Sequence, residues 1–215
     1  WGESELTAIN WLTPPPKAHF DSAKNNLVSL AMLNSDYKLT TLGKRAAKIG
    51  LQPRLCAMLL QAQNLKEQLI ACELAALLSD RDIFLHSKSI DIIDRLLAVQ
   101  DYKQDAKKAL QCHPLKHYSV KQLLINANNF RRILTIKIPA PQFSLKELQQ
   151  SIPELLLLAY PDRLAKKRSS NNGRYQLANS KGVFIFEDDP LYGSDWLVVA
   201  DCDAQTTQGR IFSAC

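Results

Sequence analysis

The sequence predicts a mainly α-helical protein with a C-terminal α+β part: a winged helix, then a helical bundle, then a β-rich segment. Three observations carry this expectation. A helix, a short extended piece, a second helix and another extended piece follow one another within residues 1–50. From Pro53 to the prolines at 139 and 141, apolar residues recur at helical spacing. After Asn171-Asn172-Gly173 the pattern changes to short strand-like runs separated by turn residues. The division read from these changes is 1–50, 51–138 and 139–215. The last segment reads as incomplete, because a strand-like Arg210-Ile211-Phe212-Ser213-Ala214-Cys215 ends it.

Thr13 ahead of Pro14-Pro15-Pro16 reads as the cap of a first helix, with prolines confined to its first turn and Phe20, Ala23, Leu27, Leu30 and Leu33 as its apolar stripe. Asn34-Ser35-Asp36 is turn chemistry and Tyr37-Lys38-Leu39 a short strand. Thr40 or Thr41 caps a second helix with Leu42, Ala46 and Ile49 inward, and Gly50 ends it. Pro53 suits the first position of a third helix facing Leu55, Met58, Leu59 and Ala62 inward. Leu69, Cys72, Leu74, Ala75 and Leu78 mark the next, and Ser89 caps one with Ile90, Ile93, Leu96 and Leu97 inward. Val120, Leu123, Leu124, Ala127, Phe130 and Leu134 form a long stripe, with Lys121, Arg131 and Arg132 off it, so this helix presents a basic outer face. Short polar links between such helices imply a bundle.

Pro139 and Pro141 mark a linker, and Ser144-Leu145-Lys146-Glu147 is a capping box. Ser151-Ile152-Pro153-Glu154 repeats that pattern and is expected to restart or kink the helix. A turn at Asn171-Asn172-Gly173 then precedes strands at Tyr175 to Ala178, Val183 to Phe186, Trp196 to Ala200 and Arg210 to Phe212. Ser180-Lys181-Gly182, Asp188-Asp189-Pro190 and Gln205 to Gly209 separate them.

Composition excludes several classes. With 215 residues, 46% hydrophobic and 22% charged, the chain has the balance of a globular protein rather than a disordered one. Purely apolar runs such as Leu155 to Ala159 are far short of the roughly 18 residues a membrane helix needs, so no membrane partner is expected. Five unevenly spaced cysteines without Cys-x-x-Cys read as reduced thiols of a cytoplasmic protein. The net charge of +6 is unevenly distributed. Eight basic residues and one acid, Asp105, lie between Lys103 and Lys137; six basic residues and no acid lie between Arg163 and Lys181. Such stripes are either solvated helix faces or anion-facing surfaces.

Catalytic signatures are missing. No Gly-rich phosphate loop, Gly-x-Gly-x-x-Gly, His-Glu-x-x-His or Gly-x-Ser-x-Gly occurs, so no catalytic residue is assigned and no cofactor is expected in this chain. Cys112-His113-Pro114-Leu115-Lys116-His117 has metal-ligand residue types, but Pro114 breaks the helix that would align the two histidines, and no metal is assigned. Glu187, Asp188 and Asp189 before Pro190 read as a solvated turn.

An ordered set of strings narrows the reading. Trp11-Leu12-Thr13-Pro14-Pro15-Pro16, Leu39-Thr40-Thr41-Leu42-Gly43-Lys44-Arg45, and Leu51-Gln52-Pro53-Arg54-Leu55 with Met58-Leu59-Leu60 occur in that order. They resemble the region after the two motor domains of DEAH-box helicases, in which a winged helix leads into a ratchet-like helical domain. Leu77-Leu78-Ser79-Asp80-Arg81-Asp82, Ala159-Tyr160-Pro161-Asp162-Arg163-Leu164-Ala165-Lys166-Lys167-Arg168, Arg174-Tyr175-Gln176-Leu177-Ala178-Asn179 and Trp196-Leu197-Val198-Val199-Ala200-Asp201 extend the resemblance, to bacterial members, over nearly the whole chain.

The resemblance implies an ATP-dependent RNA helicase as parent, with ATP and Mg2+ held by upstream motor domains. Those motor domains and single-stranded RNA, or DNA, are the implied partners. A rigid bundle with Lys and Arg on one face holds backbone phosphates without reading bases. The candidates are Lys121, Arg131, Arg132 and Lys137 from the long helix, and Arg163, Lys166, Lys167, Arg168 and Arg174 from the later cluster. Arg54 and Arg81 fall in family strings and read equally as structural residues at helix ends. After Pro141 the oligonucleotide-binding barrel usual in the wider family is not recognisable in the sequence. A protein-interaction scaffold without nucleic-acid contact is the alternative. A winged-helix transcription factor is disfavoured, because Lys44, Arg45 and Lys48 are too few for a recognition helix.

Overall fold

A computed structural model describes residues 9–87, 89–139, 141–168, 171–203 and 208–215. Eight helices come first: α1 (Lys17–Ser29), α2 (Thr41–Ile49), α3 (Pro53–Gln61), α4 (Leu65–Leu78), α5 (Ile92–Gln104), α6 (Ala106–Cys112), α7 (His117–Ile133) and α8 (Leu145–Ala159). A 3-10 turn, Pro161–Arg163, leads into five strands: β1 (Leu164–Arg168), β2 (Asn171–Leu177), β3 (Gly182–Phe184), β4 (Trp196–Cys202) and β5 (Gln208–Ala214).

The winged helix expected over residues 1–50 is not found among the described residues, 9–50. The prolines precede α1 instead of occupying its first turn, and Pro16 caps it without a side-chain bond. Tyr37-Lys38-Leu39 is no strand: its ladder is a single antiparallel bridge, Leu33 to Leu39. Asn34 closes this loop, its Oδ1 accepting from the backbone amides of Asp36 and Lys38 at 3.1 and 2.8 Å. Local turn chemistry thus satisfies the backbone that a wing would have paired. Thr40 caps α2 by accepting from the Gly43 amide at 3.0 Å, and Gly50 ends it at φ 73°. Leu30, Met32 and Ala46 share a small core with Cys56 and Ala57, so this unit packs directly on α3.

The bundle is built around α4, whose residues from Leu69 to Leu77 are all buried. A helix apolar on every side belongs at the centre of its domain. α3, α7 and α8 all pack against it, and α5 packs against α8. Asp91, not Ser89, caps α5, its Oδ1 accepting from the Ile93 amide at 2.8 Å; the Ser89 hydroxyl instead donates to Asp94 at 2.6 Å. The predicted capping box at Ser144 and Glu147 is present, but the second one is not. α8 runs unbroken through Pro153, with Ser151 buried inside it. The linker before α8 is pinned to the bundle by Lys103, whose ammonium donates to Glu73, Gln100 and the Pro141 carbonyl at 2.9, 2.9 and 3.0 Å.

The β-rich C-terminal segment is a closed barrel in the order β1-β2-β3-β5-β4. β3 and β5 run parallel and every other pair is antiparallel. A five-stranded closed barrel of this kind is the oligonucleotide/oligosaccharide-binding architecture that the sequence did not reveal. The predicted turn Asn171-Asn172-Gly173 is the start of β2. Gly173 is needed there, because a Cβ would lie 2.7 Å from the Tyr192 ring. Ala165, Tyr175, Leu177, Val183, Ile185, Leu197, Val199 and Ile211 fill the barrel. Ile90, from the loop before α5, joins them. Val198 and Ala200 turn the other face of β4 into the bundle core, where α8 meets that strand. Barrel and bundle are thereby joined through apolar packing.

Candidate nucleic-acid interface

The basic residues of α7 gather at its C-terminus, where the helix dipole favours cations. Arg131, Arg132 and Lys137 line a hollow of about 680 Å³ together with Asn128, Thr135 and Ile138. Arg131 is held in place by donating to the Asn128 side-chain Oδ1 and, at 3.5 Å, to the Ile138 backbone carbonyl. Lys121, nearly three turns earlier, is exposed and outside this hollow.

The second basic cluster is divided by β1. Lys166 points outward beside its cross-strand partner Trp196, with its ammonium 5.2 Å from the ring centre. Lys167 is committed to the fold: it donates to the Gly193 carbonyl at 2.9 Å and pairs with Asp195 at 2.8 Å. This bond and the lysine's charge hold the Asp195 carboxyl below its ordinary range. Arg168 is exposed beyond an irregularity in the β1–β2 register, and Arg174 is exposed on β2. Arg163 donates to the Ala200 carbonyl at 2.5 Å and lies over the Tyr160 ring.

Arg163 also borders a cleft of about 600 Å³ between bundle and barrel. Arg54, Asp82 and Arg95 line its bundle side; Asp201, Arg210 and Phe212 line its barrel side. Two of these arginines are structural. Arg54 makes a two-pronged contact with Asp162 at 2.6 and 3.1 Å and donates to the Ala159 carbonyl at 3.0 Å. Burial works to raise the Asp162 carboxyl, but the Arg54 bond and charge outweigh it and leave it lowered. Arg95, 5% exposed, pairs with Asp82 at 2.7 Å and donates to the Ser89 and Asp91 carbonyls. Arg81 is exposed. Among the sequence-predicted cations, Arg131, Arg132 and Lys137 border one hollow, Arg163 a second and Arg174 a third.

Sequence reasoning missed an outward-facing cluster on the barrel. Arg174, Phe184 and Arg210 are cross-strand partners in one row over β2, β3 and β5. Phe186 and Phe212 follow two residues further along their segments and are 50% and 47% exposed. The Arg210 guanidinium lies 4.7 Å from the Phe186 ring centre and 5.6 Å from that of Phe212. Period-2 alternation in Val183-Phe184-Ile185-Phe186 and Arg210-Ile211-Phe212 carried this signal, since aliphatic residues facing inward place the aromatics and arginine outward together.

His113 meets Asp101 at 2.8 Å, His117 meets the Tyr102 hydroxyl at 2.9 Å, and no metal-holding cluster occurs among the described residues. No helix of the described residues is long and apolar enough to cross a membrane.

No family model matches the chain. A curated protein, the ATP-dependent RNA helicase HrpB of Escherichia coli (strain K12), is 30% identical over 198 residues, covering 92% of this chain and 21% of that protein. Two crystal structures superpose on the entire chain. One, described as the E. coli DExH-box NTPase HrpB, has a TM-score of 0.76 at 27% identity; the other, as the Escherichia coli DEAH/RHA helicase HrpB, has 0.74 at 25%. The chain covers 23% and 24% of those two proteins. This chain is a partial, HrpB-like region, homologous to about a fifth of that helicase's length.

Proposed function

We propose that this region is an accessory part of an ATP-dependent RNA helicase, packing on the motor domains and helping to guide single-stranded nucleic acid during unwinding. The observation that carries this reading is the closed five-stranded barrel, seated on the bundle, with exposed cations on α7 and on the barrel strands. Barrels of this order commonly serve as platforms for single strands, with cations tracking the phosphates and aromatics taking the bases. Lys121, Arg131, Arg132, Lys137, Arg163, Lys166, Arg168 and Arg174 are the phosphate-facing candidates in this reading; Lys167, tied to Asp195, supports the loop beside them. ATP and Mg2+ belong to the parent's motor, and the setting is cytoplasmic.

The test is fluorescence anisotropy of a labelled single-stranded RNA over a range of salt, with a matched duplex alongside. The expected result is single-strand binding whose log affinity falls with log salt, by about 0.7 per phosphate contacted. Absence of binding even at low salt overturns direct contact.

A second reading, a scaffold that binds only protein, is favoured by α1, which has no buried residue along its length. In that case replacing Arg131, Arg132, Lys166 and Arg168 with Ala leaves RNA-stimulated ATP hydrolysis of the parent unchanged. The guiding role requires that it fall.

A further inference from the structure

The helix α7 carries two seams. Val120, Leu123, Ala127 and Phe130 recur at three- and four-residue steps and are buried in the bundle core. On the opposite side Tyr118, Lys121, Ile125, Asn128 and Arg132 recur at the same kind of step, and all five are exposed. At 1.5 Å per residue this second seam runs about 21 Å along the helix. Its apolar members stand well out of the surface, Tyr118 at 78% exposure and Ile125 at 53%. A helix that packs on one core needs one stripe; a second stripe at this spacing matches the way one helix receives another.

The exposed seam ends in the hollow of about 680 Å³, where Asn128 and Arg132 stand beside Lys137 and Ile138. Ile138 is 47% exposed. No Asp or Glu occurs between Asp105 and Glu147, a stretch that holds eight Lys and Arg. Lys121, Arg132 and Lys137 are exposed and make no ion pair among the described residues. A second copy of the chain would bring like charges together on this face, which disfavours self-association through it. A phosphate backbone would meet the cations but leave Ile125 and Ile138 without an apolar contact. An amphipathic helix with acidic flanks uses both kinds of group.

We propose that the outward face of α7 is a docking surface for an acidic amphipathic helix of a separate protein. The apolar side of that helix rests on Tyr118, Ile125 and Ile138, and its carboxylates meet Lys121, Arg132 and Lys137. The inference goes beyond the helicase-accessory reading: it gives a protein three of the cations which that reading gives to phosphates. The apolar anchors supply affinity, while the surrounding charges select an acidic partner and speed its approach.

The probe is a labelled synthetic peptide of about 20 residues, with Leu at helical core spacing and Glu on both flanks, long enough to hold a helix. Its controls are a scrambled peptide of the same composition and a version with Lys in place of Glu. Anisotropy with the 215-residue chain is expected to show binding of the ordered Glu peptide alone. Tyr118→Ala with Ile125→Ala should weaken it about ten-fold or more. That variant should leave the affinity for a single-stranded RNA of about 12 nucleotides unchanged. Lys121→Glu with Arg132→Glu should abolish binding of the Glu peptide and create binding of the Lys peptide, a reversal that misfolding cannot produce. All four side chains are exposed, so both variants should fold; circular dichroism and Tm check this. The full parent helicase should bind the peptide as the 215-residue chain does; loss of binding there would mean that its own motor domains cover the face, which overturns a separate partner. If the scrambled peptide or the Tyr118 and Ile125 variant binds equally well, the face is only a field of charge, and the proposal fails while the phosphate role of its cations stands. Absence of peptide binding at low salt also overturns it.

Discussion

At the scale of single residues, the chemistry of the side chains is set by what they are packed against. Burial raises the Asp91 carboxyl to about 6, with Asp94 and Asp189 adding to the effect and the Ile93 amide and Arg95 opposing it. The folded state therefore keeps a proton there that the unfolded chain, ionising near 3.8, has released. Stability from this group is present at low pH and is lost as pH rises from about 4 through about 6. Asn at position 91 keeps an acceptor for the Ile93 amide without the charge. The Tm of Asp91→Asn relative to the parent should accordingly be higher at about pH 7 than at about pH 4. Equal differences at the two pH values would remove the burial cost from the account. Thiols divide in the same way. Burial pushes Cys72 and Cys215 up to about 12, and Cys56 is raised as well, whereas Cys112 is exposed at the end of α6. A thiol reagent should label Cys112 rapidly in the native state and reach Cys72 only on unfolding; fast native labelling of Cys72 would show the bundle core opening.

At the scale of elements, the energy is concentrated in α4. Leu74 is fully buried at the centre of the main core. Leu74→Ala should cost about 2–5 kcal/mol, read as a lowered denaturant midpoint with an unchanged slope. A loss below about 1 kcal/mol would mean that the core collapses around the cavity. Elements with local punctuation were legible in the sequence: Thr40 caps α2, Pro53 opens α3, and Ser144 with Glu147 opens α8. Those that depend on distant partners were not. β1 reads as a basic stretch, Leu164-Ala165-Lys166-Lys167-Arg168, and only Ala165 is buried in it. It is a strand because β2 and β4 flank it on both sides. The expected wing failed for the converse reason. A helix–strand–helix pattern fits residues 17–49, yet among the described residues no second strand pairs with Tyr37-Lys38-Leu39. β4 shows a third kind of ambiguity, four consecutive buried residues from Leu197 to Ala200, because the barrel interior covers one face and the bundle covers the other. The candidate cations were visible as charge runs, but spacing alone could not show that Lys167 serves the fold while Arg210, far from either run, sits among aromatics.

At the scale of the whole molecule, the segment from Ser89 to Asp91 couples the two halves. The Ile90 side chain lies in the barrel core, its amide donates to the Asp189 carboxylate at 2.9 Å, and its carbonyl accepts from Ala214 at 3.1 Å. Asp189, 6% exposed, also accepts from the Leu191 amide at 2.8 Å, so one buried carboxylate closes the loop after β3 and fastens the segment leading into α5. A second tie is Arg54, which joins α3 to the turn that precedes β1. Ser89 and Ile90 of the same segment also line the cleft between barrel and bundle. Ile90→Ala removes apolar contacts on the barrel side only, at a cost of about 2–5 kcal/mol. Hydrogen exchange should then show amides of Tyr175, Val183 and Ile211 losing protection by ten-fold or more, while those of Leu74 and Ala75 in α4 keep theirs. A uniform loss across barrel and bundle would instead mean that the molecule unfolds only as one body, and that Ile90 contributes to a single core rather than acting as the hinge between two.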